Sequence, residues 1–145
     1  MRIKLEAPQN FIFTSFSKIR VNDLNYGNHL SNDRLLCFAH QARVEWLESM
    51  GFSEMNFGGF GIIMTDAAII YKSEGHLNDE LKIEIGLSDL SRSGFDLYYQ
   101  VTNLSNNKEL AIIKTGILCF DYHNKKVCSI PNEALLKIQN ITENQ

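Results

Sequence analysis

At 145 residues, 44% hydrophobic and 21% charged, the chain is one domain long and can bury a core. A formal net charge of −3 offers no basic field to nucleic acid, and no apolar run approaches the roughly 18–20 residues that cross a bilayer. Three scattered cysteines, Cys37, Cys119 and Cys128, fit no metal-ligand spacing, and the start MRIKLEAPQN has no apolar signal region; both point to a reduced, cytoplasmic protein.

The first predicted element is a strand within 11–22, FIFTSFSKIRVN, where Phe16, Ile19 and Val21 are separated by polar residues. A polar loop, 23–31, follows. It crowds Asp23, Asn25, Asn28 and His29 around Gly27, immediately before Asn32 and Asp33. Next comes a helix, SNDRLLCFAHQARVEWLESMGF, with Ser31 or Asn32 expected as N-cap and Asp33 in the first turn. Leu35, Leu36, Phe38, Ala39, Ala42, Trp46, Leu47 and Met50 recur at helical spacing over a wide arc, which predicts a largely buried helix stopped by Gly51. Arg43 lies inside that arc, so a carboxylate or backbone carbonyls must meet it.

After a glycine-rich loop, four β segments are predicted near 62–74, 80–91, 95–104 and 109–122. Asn106–Asn107 and His123–Lys125 mark turns, and a short helix at about 132–139 follows Pro131. The whole chain reads as a single domain, with its core at about 12–122. Consecutive strands on short links read as an antiparallel meander, and one long apolar helix has only that sheet to bury against. The fold class is therefore α+β: an antiparallel sheet of about five strands wrapped around one central helix. Its open edges favour pairing with a second copy, as a dimer or tetramer.

This layout resembles the hotdog fold, and within it the acyl-CoA thioesterases of the 4-hydroxybenzoyl-CoA thioesterase-like group. That group carries D-x-D-x-x-G-H-V-N-N before the helix and E-x-A-R on it. The present chain reads D-L-N-Y-G-N-H-L-S-N at 23–32 and H-Q-A-R at 40–43, and YKSEGHLNDELKIEI at 71–85 is similar to a later segment, with Asp79 at the group's Asp. Three departures stand out. Asn25 takes the place of the Asp that is often catalytic, His40 replaces the helix glutamate, and Asn28 replaces the glycine before the histidine. The last is closer to plant acyl-carrier-protein thioesterases. The resemblance implies hydrolysis of an acyl-CoA or acyl-carrier-protein thioester, at a site shared between two copies of the chain. It implies no metal and no cofactor beyond the coenzyme A of the substrate.

A thioester carbonyl needs a polarising group and an activated water. The helix N-terminus supplies N–H groups for the oxygen, and Gly27, Asn28 and His29 form the adjoining wall. An amide is no base, so Asn25 is expected to position water or carbonyl. Imidazole titrates near neutrality, which makes His29 the acid–base candidate. The resemblance places Asp66 of the partner's strand where it can orient His29. The catalytic set is thus Asn25, His29 and Asp66, with Asp23, Gly27, Asn28 and Asn32 binding substrate. Each has a plainer reading: turn and cap chemistry for the asparagines, a loop hydrogen bond for His29, backbone N–H groups or Arg43 for Asp23, and a lysine for Asp66. His40 reads as a boundary residue, and Phe57, Phe60 and Met64 as acyl-pocket lining or core.

Two other functions share this loop. A MaoC-type enoyl-CoA hydratase would use Asp23 and His29, although its D-x-N-P-x-H lacks a match for the proline and for the histidine spacing. A non-catalytic acyl-thioester binder would follow from the loss of the carboxylate at position 25.

Overall fold

The computed structural model describes residues 1–143. The elements are β1 (Phe13–Lys18), a 3-10 turn (Val21–Asp23), α1 (Arg34–Ser49), β2 (Gly61–Tyr71), β3 (Glu80–Ser88), β4 (Gly94–Asn103), β5 (Lys108–Asp121), β6 (Lys126–Val127) and α2 (Asn132–Glu143). All pairings are antiparallel, in the order β1-β3-β4-β5-β2, with the two-residue β6 added against β5. The α+β hotdog architecture is as expected, with one correction. Only β3, β4 and β5 form a meander. β2 pairs with β5 rather than with the β3 that follows it, because both sides of β3 are taken by β1 and β4. β2 therefore ends as one edge of the sheet and β1 as the other.

Strand register explains where the core sits. Ile85, Tyr99, Ile113 and Ile69 lie in one cross-strand row, and Ile83, Val101 and Ala111 in the next. With a period of two, these rows put one side-chain set on a single face. Ile83, Ile85, Leu97, Tyr99, Val101 and Ile113 are all fully buried, in one cluster with Leu35, Ala39, Ala42, Trp46 and Leu47 of α1. Fully burying a large apolar side chain contributes about 1.5–3 kcal/mol, so this helix–sheet interface is the main source of stability.

α1 ends as predicted. Gly51 has φ +80, its N–H donates to the Glu48 carbonyl, and the Phe52 N–H donates back to Leu47. That is a Schellman closure, in which glycine avoids the left-handed penalty. α2 locks the same end: Lys137 Nζ donates to the Met50 carbonyl at 2.6 Å and lies over the Phe52 ring. The start of α1 differs from expectation. The first helical residue is Arg34, and Asp33 stands at the N-cap without a side-chain cap bond. Neither Ser31 nor Asn32 caps through its side chain: the Ser31 hydroxyl donates to Asp33 instead, and its carbonyl accepts from the Arg34 N–H. Among the described residues, no helix is long and apolar enough to cross a membrane.

Candidate active site

The 23–32 elbow is a folded device, held by its own side chains. Asn25 Oδ1 accepts from the Gly27 N–H at 2.9 Å and the His29 N–H at 3.2 Å, and the Asn25 N–H donates to the His29 carbonyl. Asn28 sits at φ +63. Asparagine tolerates this left-handed conformation better than any residue except glycine, which accounts for Asn28 standing where the resembling family has glycine. Two consequences follow. The Gly27 and His29 N–H groups are occupied, so this loop does not offer them to a carbonyl oxygen. Oxygen-binding capacity shifts to the first turn of α1, which carries no side-chain cap.

His29 and Asn32 line a cleft of about 200 Å³ together with Asn25, Leu35, Tyr71 and Glu74. His29 Nε2 lies 3.5 Å from Glu74 Oε2, and the Tyr71 hydroxyl donates to the Asn32 carbonyl at 3.3 Å. Glu74 is thus the carboxylate that the fold presents to His29. Nothing local in the sequence links two residues 45 positions apart, and the sequence placed Glu74 at the end of a strand, whereas β2 stops at Tyr71.

The remaining candidates are placed differently. Asp66 sits beside a bulge in β2, where Oδ1 accepts from the Gly116 N–H and the carboxylate holds Lys114 Nζ at 2.8 Å. The Lys114 hydrogen bond holds the Asp66 carboxyl below its usual range. Within the chain, therefore, Asp66 partners a lysine and not His29. Asp23 closes the 3-10 turn by accepting from the Arg20 N–H at 2.8 Å, and it lines a different cleft with Lys18 and Arg20. Asp23 and His29 thus border different clefts, and no ion pair joins Asp23 to Arg43 among the described residues.

Arg43 is met by Glu54. Arg43 Nε donates to Glu54 Oε2 at 3.1 Å and Nη1 to the Tyr99 hydroxyl at 3.0 Å, while that hydroxyl also bonds Thr115. The other Glu54 oxygen lies 2.6 Å from His40 Nε2. Burial alone would raise the Glu54 pKa, but the His40 and Arg43 hydrogen bonds outweigh it and the carboxyl is lowered. His40 and Arg43 border a second hollow of about 190 Å³ with Leu36, Cys37, Met64 and Thr115. Phe57 is core, whereas Phe60 and Met64 are exposed. Burial pushes the Cys119 thiol up to about 12, so it is no nucleophile at neutral pH.

The model of the thioesterase-like superfamily matches residues 19–138. A protein of Aquifex aeolicus whose esterase assignment is provisional is 30% identical over 100 residues, 68% of this chain and 75% of its own. The 1,4-dihydroxy-2-naphthoyl-CoA hydrolase of Synechocystis is 22% identical over 122 residues, 82% of this chain and 88% of its own. Among solved structures, the 1,4-dihydroxy-2-naphthoyl-CoA thioesterase from Synechocystis superposes with a TM-score of 0.81 at 21% identity, covering 90% of this chain and 97% of that one. A Staphylococcus aureus protein solved in complex with CoA reaches 0.84 at 16% identity, covering 92% and 85%. A family match over most of the length, on the same single sheet and buried helix, identifies the chain: it belongs to the thioesterase-like superfamily of hotdog-fold thioester hydrolases.

Proposed function

We propose that this protein hydrolyses an acyl-CoA thioester in the cleft between the 25–32 elbow and the 71–75 segment, with His29 as general base. The observation that carries this reading is the pairing of His29 with Glu74 beside the uncapped start of α1. A carboxylate beside one ring nitrogen favours the tautomer and the charge that a base needs while it takes a proton. Water deprotonated by His29 adds to the thioester carbon. The oxygen becomes an anion at the α1 N-terminus, and the tetrahedral adduct collapses by expelling the thiolate, which takes the proton from His29. Asn25 shapes the elbow and Asn32 adjoins the carbonyl side.

The site would be completed by a second copy of the chain. β2 is an edge strand of 11 residues whose middle, Met64 to Ala67, is exposed, so its outer backbone groups can pair with the same strand of a partner. An acyl-CoA is favoured over a carrier protein because the Staphylococcus aureus relative was solved with CoA.

The test is a panel of acyl-CoAs read by release of free thiol. His29→Ala should lower kcat/KM at least about 100-fold, since acid–base groups supply 10²–10⁴. Saturable acyl-CoA binding without thiol release by the wild type would make the protein a binder, and loss of enoyl absorbance without thiol would make it a hydratase.

A further inference from the structure

His29, Glu74 and His76 converge at the rim of the cleft from two different loops. One ligand atom from each, a ring nitrogen or a carboxylate oxygen, lies within 4.8 Å of the other two. His29 Nε2 and Glu74 Oε2 are 3.5 Å apart. Two donors at zinc-type bond lengths of 2.0–2.1 Å around a tetrahedral ion stand about 3.4 Å apart. One edge of the set thus already has the spacing that a shared ion would impose. An ion pair needs only one histidine. The second imidazole, edge-on to His29 with centroids 5.1 Å apart, supplies the set with a third ligand. Imidazole and carboxylate are the donors that zinc and its neighbours take.

We infer that His29, Glu74 and His76 form a binding site for a divalent transition-metal ion of the zinc class, with the fourth position open toward the cleft.

The backbone is built to hold these groups together. Gly75 stands between two of the ligands, and its carbonyl accepts from the N–H of Leu30, the residue after the third, at 2.8 Å. A Cβ on Gly75 would lie 2.6 Å from Ile19 Cδ1 and 3.2 Å from Leu30 Cβ, so a side chain here would push neighbouring side chains aside where the two loops meet. The His76 N–H donates to Asp79 Oδ2 at 2.9 Å, and Asn103 Nδ2 anchors that same oxygen at 2.8 Å. His76 Nδ1 is 3.9 Å from this carboxylate, so an acid stands near the imidazole, on the side where metal-bound histidines commonly donate their second ring N–H. Glu74 and His76 are exposed and His29 is half-buried, so the three side chains have room to adjust.

A coordinated His29 has no lone pair left for a proton. Bound zinc should therefore slow thioester hydrolysis, a consequence that rests on His29 being the base.

The experiment titrates chelator-stripped protein with zinc by calorimetry and with cobalt by its visible absorption, on a Cys37→Ser background that removes the exposed thiol. One ion per chain is expected. Glu74→Gln and His76→Ala should each weaken binding at least about 100-fold, because loss of even an outer-shell partner costs 10–100-fold. No binding, or binding unchanged in both variants with folding intact by circular dichroism, overturns the site and leaves His29 as base untouched. Zinc bound with the rate of hydrolysis unchanged leaves the site standing and overturns His29 as base.

Discussion

Asn25 occupies the position at which the resembling family often carries its carboxylate, and here its side-chain oxygen organises the elbow. An aspartate can accept the same two N–H bonds and present a second, charged oxygen to the cleft. Asn25→Asp should therefore fold normally and hydrolyse acyl-CoA at least as fast as the wild type. A collapse in rate with an unchanged melting curve would show that position 25 does not face the thioester. Asn28 makes a separate point about backbone. Its φ of +63 costs an ordinary L-residue about 1–2 kcal/mol, so Asn28→Val should lower thermal stability by about that amount while Asn28→Gly does not. Both positions were legible in the sequence, because turn chemistry is local. The carboxylate beside His29 within the chain was not: the resemblance pointed to Asp66 of a second copy, whereas Glu74 comes from a loop remote in the sequence.

At the scale of elements, α1 buries a guanidinium that the apolar arc made visible. Arg43 is 6% exposed and reaches Glu54 just beyond the helix end and Tyr99 on β4. The acid limb of stability should report this pair. A carboxyl whose folded pKa is lowered adds stability above its ordinary value of 4.5, and that stability is lost as pH falls through the lower folded value. Glu54→Gln should destabilise the protein by about 1–2 kcal/mol at neutral pH, where Arg43 keeps only neutral partners. It should also flatten the pH dependence of the denaturation midpoint below about pH 4.5. An unchanged acid limb in the variant would assign the acid sensitivity to other carboxylates. The need for a partner was evident from the sequence, but Glu54 was not, since SEMNF carries no signal that singles out its glutamate.

For the whole molecule, the decisive feature is the edge strand. β2 lies at the border of the sheet with Met64 half exposed, and the hollow beside Met64 and His40 opens on the same side. A dimer formed by β2 against β2 should appear as twice the 16.6 kDa chain mass, or a multiple of it, by light scattering on a sizing column. Met64→Lys, which puts a charge on that edge, should shift the distribution toward monomer and lower the hydrolytic rate with it. A wild-type protein that is monomeric and fully active would overturn the shared site. What the sequence determined by itself is the order of the elements, the buried face of the long helix, its Gly51 stop and the polar elbow before it. Each of these follows from interactions within a few residues, or from a periodicity that one segment displays alone. The tertiary structure decided that β2 crosses to the far edge, that Glu74 lies beside His29 and Glu54 beside His40 within the chain, and that Gly75 packs where two loops meet. Those outcomes depend on contacts between residues far apart in the chain, and their energies arise only once the sheet has closed over the helix.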